Sequence, residues 1–229
     1  MTVPAEPNAW TLVHFALCPY SRKIRLLLSE KGIAAELINI PPWELQPLYP
    51  RYGHSKLVPA LKDNRGLVVT NSWVICEFIE ETVPAPSLMI GSAEQRAEIR
   101  RLIAWADDYL YAPLTLPLQI AALGTGPQPR RINPAMIDTT AETVDMFLDE
   151  IGYLLDYRAW LAGPALSLAD LAIAAHLSVL DYFGAVDWTG HGQAQTWYSV
   201  LKSRRSFQPL LADRIEGIEP PGHYSKIDS

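Results

Sequence analysis

The chemistry this chain could perform concentrates at Cys18, which stands directly before Pro19, between an apolar run from Thr11 to Phe15 and an amphipathic stretch from Tyr20 to Lys31. Proline is tolerated in the first turn of a helix, so the pattern predicts a helix opening just after the cysteine. A thiol there faces free backbone amides and the positive end of the helix dipole, and Arg22 and Lys23 add positive charge one turn on. This placement predicts a pKa below that of a free cysteine and a nucleophile suited to thiol exchange; a small buried apolar residue is the competing reading. Ser21 stands where a Cys-x-x-Cys pair would carry its second thiol, so no internal disulfide can form there. Cys76 lies on an apolar helix face and reads as core.

The remaining candidates narrow the field. Five histidines are scattered, none at ligand spacing with a cysteine or another histidine, so no metal site is expected. Two cysteines in 229 residues suit a reducing cytoplasm. A net charge of -6 and a pI near 5.4 argue against nucleic-acid binding, which needs clustered cations to neutralise phosphates. The start lacks a signal-like apolar core, and no apolar run approaches the roughly 20 residues of a membrane span. A cytoplasmic location is expected.

The elements that must hold the cysteine follow from periodicity. A strand over Thr11–Phe15, the helix after Cys18 stopped by Gly32, and a strand over Ala35–Ile40 form a βαβ unit. The segment from Trp43 to Arg51 is ambiguous between a short helix and a loop. Lys56–Lys62 and Leu67–Thr70 form a hairpin around Asp63–Gly66, and Asn71 or Ser72 caps a helix reaching about Thr82. This is the thioredoxin order, and it defines an N-terminal domain over residues 1–83. Residues 84–91, with Pro84 and Pro86, form a linker. Residues 92–209 are almost wholly helical, and Pro113 and Pro117 disturb the chain after a long helix ending near Tyr111. Leu171–Phe183 is apolar nearly all round and reads as a buried helix, opened by a capping box of Ser167 and Asp170. Residues 210–229 form an extended tail.

Four motifs in order, Cys18-Pro19-Tyr20-Ser21, Val58-Pro59, Asn71-Ser72 and Ser167-Leu168-Ala169-Asp170, resemble the cytosolic glutathione S-transferase superfamily. The resemblance runs from Thr11 to about Pro209. It implies the two-domain fold of that family, an α+β thioredoxin-like domain followed by an all-α domain, a homodimer, and glutathione as co-substrate. Carried over by position, Cys18, or Ser21 if the loop is shifted, meets the glutathione sulfur. Val58 pairs with the tripeptide backbone beside a cis Pro59, and Ser72 holds the γ-glutamyl carboxylate. Lys56 reaches the glycine carboxylate, and Tyr20 and Leu57 complete the binding set. Asn71 replaces the acid that usually pairs with the ligand's ammonium group, and the lost charge assistance is worth about 1 kcal/mol or more. Cysteine at the corner favours thiol transfer as well as conjugation. The electrophile pocket falls on Trp105, Tyr109 and Tyr111, Trp73 on the dimer face, and His176 in the core.

The tail is similar to that of a bacterial branch of this superfamily, the division proteins that bind the tubulin-like FtsZ filament. His223, Tyr224 and Asp228 carry this likeness, while Lys226 and Ser229 depart from it. It implies a docking peptide for a second protein; disorder of the last residues is the alternative. Two functions follow, a glutathione-dependent transferase or thiol transferase acting through Cys18, and a non-catalytic adaptor for FtsZ. The order of the motifs favours the first. Asn71 and the tail favour the second.

Overall fold

The computed structural model describes residues 10–44, 58–124 and 133–226. Lys56, Leu57, Asp228 and most of the Trp43–Arg51 segment lie outside them. Strand β1 (Trp10–His14), helix α1 (Pro19–Glu30) and strand β2 (Ala35–Asn39) form the expected βαβ unit, with β1 and β2 parallel. Strands β3 (Ala60–Lys62) and β4 (Val68–Thr70) form the hairpin and complete a sheet of order β2-β1-β3-β4. The Asp63 carboxylate makes the hairpin turn by accepting from the amides of Arg65 at 2.9 Å and Leu67 at 2.8 Å. Helix α2 (Ser72–Thr82) follows, capped by Asn71.

Helix α3 (Ala93–Leu110) starts at a capping box in which Ser92 and Gln95 satisfy each other's amides. The prolines after it do not end the helical path. The chain widens into a π-turn over Tyr111–Thr115, where the Thr115 hydroxyl donates to the Leu110 carbonyl, and continues as α4 (Leu116–Leu123). Pro117 sits in the first turn of α4, where its missing N–H has no partner to lose. Helices α5 (Pro134–Tyr157), α6 (Leu168–Tyr182), α7 (Gly192–Lys202) and α8 (Gln208–Leu211) complete the chain.

All fifteen residues of α6 are buried, as its uniform apolarity predicts. Its first turn is fixed by Asp170, whose carboxylate accepts from the amides of Ser167 and Leu161 and from the Trp197 indole, all within 3.0 Å. Helix α1 packs on α6 from the sheet side and α3 packs on it from another, so α6 is the axis joining the two halves.

In sequence the tail reads as a docking peptide or a disordered end; its described part is packed on the fold as far as Tyr224. The Tyr182 hydroxyl donates to the Ile218 carbonyl and accepts from the Ile215 amide, pinning the chain after α8. Tyr224 is 0 % exposed, edge-on to Tyr182. The sequence hides this because Pro220, Pro221 and Gly222 look like terminal coil, while the anchor is a single aromatic beyond them.

Candidate functional site

Cys18 caps α1 with an extended backbone, and Pro19 occupies the first helical position. Around it the strand-to-helix turn is tied from several sides. The Ala16 amide donates to Asn39 Oδ1, the Phe15 amide to Ser21 Oγ, and Gln119 of α4 donates to the Leu17 carbonyl. Cys18 Sγ lies 3.9 Å from the Val58 carbonyl, and the Val58–Pro59 peptide is cis, so the corner and the cis-proline loop meet as the motif order implies.

The thiol is nevertheless not a poised thiolate. Cys18 is only 7 % exposed, and burial pushes its pKa up, outweighing the lowering influence of the helix-start amides, Ser21 and Lys23. The expectation of a depressed pKa is therefore corrected. It counted the cations at positions 22 and 23 as neighbours of the sulfur, whereas the helix turns both toward other partners. Arg22 donates to the Ala16 carbonyl, to Ser178, to the Tyr224 hydroxyl and to Asp213. Lys23 donates to the Asp107 carboxylate at 2.6 Å.

Asp107 was not legible as a site residue, yet it organises the wall beside Cys18. Burial works against its charge, but bonds from His176 and Lys23 prevail and hold its carboxyl below the usual range. His176 is fully buried and its pKa is lowered by that burial, so it is a neutral imidazole donating Nε2–H to Asp107. Tyr20 completes the group: its hydroxyl donates to the Asp107 carbonyl, and its ring packs on Tyr111 at 4.7 Å and edge-on to His176. Nothing in the spacing of positions 23, 107 and 176 announces this cluster. Gln119 did give a signal, as a lone polar residue in an apolar helix.

Ser72 is buried at the start of α2 beside Asn71, whose Oδ1 accepts from the Trp73 amide at 2.9 Å and is thus engaged as a helix cap. Of the aromatic trio, Tyr111 packs on Tyr20, two residues after Cys18. Trp105 stacks on Phe147 of α5 at 3.9 Å, and Tyr109 is exposed. His223 Nε2 contacts Asp181 at 2.9 Å, which raises its pKa, and Tyr224 is enclosed against Arg22 and the Leu210 carbonyl. The tail thus buttresses the back of the helix that Cys18 opens.

Residues 17–82 match the family model described as "Glutathione S-transferase, N-terminal domain". FtsZ-localized protein A of Caulobacter vibrioides is 40 % identical over 226 residues, which cover 95 % of this chain and 97 % of that protein. The chain belongs to the glutathione S-transferase superfamily. Its resemblance to solved members is close. A glutathione S-transferase from Rhodospirillum rubrum superposes with a TM-score of 0.90 at 39 % identity, covering 96 % of this chain and all of the other. The structure of FzlA from C. crescentus gives 0.87 at 39 % identity with the same coverage. Membership accounts for the cis-proline loop facing the first helix.

Proposed function

We propose that the chain is a glutathione S-transferase-fold adaptor that associates with the FtsZ filament in bacterial division, and that thiolate catalysis by Cys18 is not its main role. The observation that carries this reading is the 40 % identity to FtsZ-localized protein A over nearly the whole of both chains. Two features of the site support it. Cys18 is enclosed and favours the neutral thiol, and Asn71 brings no negative charge to an incoming ammonium group while its carbonyl oxygen caps α2. The reading includes the family's two-fold dimer, for which half-buried Trp73 and exposed Val74 on α2 supply an apolar face. The test is co-sedimentation with FtsZ assembled by GTP, against unassembled FtsZ. Enrichment in the polymer pellet is expected; equal recovery in both would remove the reading.

Glutathione binding is the second reading, and the contact between Cys18 and the Val58 carbonyl beside cis Pro59 favours it. Lys56, Leu57, Val58, Ser72 and Tyr20 would then hold the tripeptide. Isothermal titration at millimolar glutathione, paired with a thiol-exchange assay on Cys18→Ser, distinguishes a retained ligand site from a working transferase.

A further inference from the structure

Helix α5 carries six acidic side chains and neither lysine nor arginine, and it is about 36 Å long at the α-helical rise. Its buried face holds Val144, Phe147, Leu148, Ile151 and Leu154. The opposite face is not wholly polar. Met146, Tyr153 and Tyr157, at helical spacing along one line, are 66 %, 59 % and 77 % exposed.

Three cavities follow one another along the side of this helix. The first, about 620 Å³, lies against the Gly184–Asp187 turn and is edged by Asp138, Glu142, Asp145 and Asp187. The second, about 430 Å³, lies between α5 and the start of α7 and includes Asp149, Tyr153 and His191. The third, about 790 Å³, is walled by Leu155, Trp160, Trp197 and Val200 and shares Gly192 and Gln193 with the second. His191 joins the first two, its imidazole lying 2.6 Å from Asp145 and 3.3 Å from Asp149. Asp156 binds Gln193 at the edge of the third. Among the described residues along this seam, Arg158 is bound to Glu98, and the His191 ring lies against its two aspartates.

We propose that the α5–α7 seam is a docking surface for a basic amphipathic segment of a partner protein. Its apolar residues enter the indole-walled cavity between Trp160 and Trp197, and its lysines or arginines meet the acids of α5. Charge decides the occupant. The acids repel lipid phosphates and nucleic-acid backbones, and they favour a cationic chain. Apolar anchors are needed because the largest cavity is lined mainly by hydrocarbon and rings, and burying such surface contributes most of the affinity in a groove of this kind. At about 3.4 Å per residue, roughly ten extended residues span the helix. The surface lies apart from the Cys18 corner and does not depend on the filament reading.

The test is fluorescence anisotropy with a labelled synthetic peptide of about ten residues that alternates leucine and lysine. The controls are its leucine–glutamate counterpart and a serine–lysine peptide lacking anchors. The leucine–lysine peptide is expected to bind, and to bind better than both controls. Glu142→Lys/Asp156→Lys should weaken it at least about tenfold, since reversal sets like charges together. Val200→Ser, at an exposed cavity wall, should weaken it independently of salt. All three positions are exposed, and unchanged melting curves confirm that the variants fold. Equal binding of the acidic peptide, indifference to the charge reversal, or tighter binding to anionic vesicles or an oligonucleotide would each overturn the assignment.

Discussion

The sulfur of Cys18 illustrates how neighbouring charge in sequence can mislead. Arg22 and Lys23 follow it one turn on, but their side chains leave toward Asp213, Ser178 and Asp107, so desolvation governs the thiol. Cys76 is held similarly, pushed up to about 12 by burial. In native protein near neutral pH, both thiols should therefore react with iodoacetamide at least about tenfold more slowly than free cysteine. On denaturation, two equivalents should react at the ordinary rate; fast labelling of one native thiol would show Cys18 to be an activated nucleophile. His14, buried on β1 and beside Arg25, is lowered to about 4 by desolvation and by that guanidinium. The unfolded chain thus binds a proton between pH 6.5 and 4 that the folded chain refuses. Its stabilising contribution is complete above 6.5 and is lost as the pH falls through this window, by up to about 3 kcal/mol. Urea midpoints across this range should fall with acid, and His14→Phe should flatten the curve. His223 acts in the opposite sense: its raised pKa favours the fold at lower pH and loses its contribution as the pH rises through the folded value.

Among the elements, those with a local signature were readable. Pro19 after a strand, Gly32 after a helix, the Asp63–Gly66 turn, the Ser92 cap and the Ser167–Asp170 box each fix a boundary through backbone chemistry within a few residues. The cis Val58–Pro59 peptide came from the family pattern rather than from any local signal. The π-turn after α3 was not readable because Pro113 and Pro117 pointed to a break, and the fold of the tail was not because its partners lie far along the chain. Tyr224 reaches Arg22 across 202 positions, and Asp213 bridges Arg22 and Arg25 at 3.3 and 2.7 Å. Asp213→Ala leaves two buried guanidinium groups without their shared carboxylate and should cost about 3–5 kcal/mol. Tyr224→Phe keeps the packing and removes only hydroxyl bonds, so about 1–2 kcal/mol is expected. Chemical denaturation measures both, and a Tyr224→Phe loss near zero would mean that Tyr224 is not the anchor described here.

Across the whole molecule, the sheet half and the helical half are sewn together by Arg22 to Ser178 and Lys23 to Asp107, both from the helix that Cys18 opens. Far-UV circular dichroism and tryptophan fluorescence should therefore report coincident unfolding transitions; two separated transitions would show that the halves are not coupled through α1. The fold and the ligand-corner geometry were legible in four short motifs, and the use of that corner was not, since it turns on burial. The central claim is that the fold serves association with FtsZ and that the Cys18 thiol is dispensable for it. The most direct measurement is co-sedimentation of the wild-type chain and Cys18→Ser with GTP-assembled FtsZ, each with and without millimolar glutathione. Both proteins are expected to enter the polymer pellet to the same extent, with or without glutathione. Failure of the wild-type chain to pellet, or pelleting that requires Cys18, would contradict it.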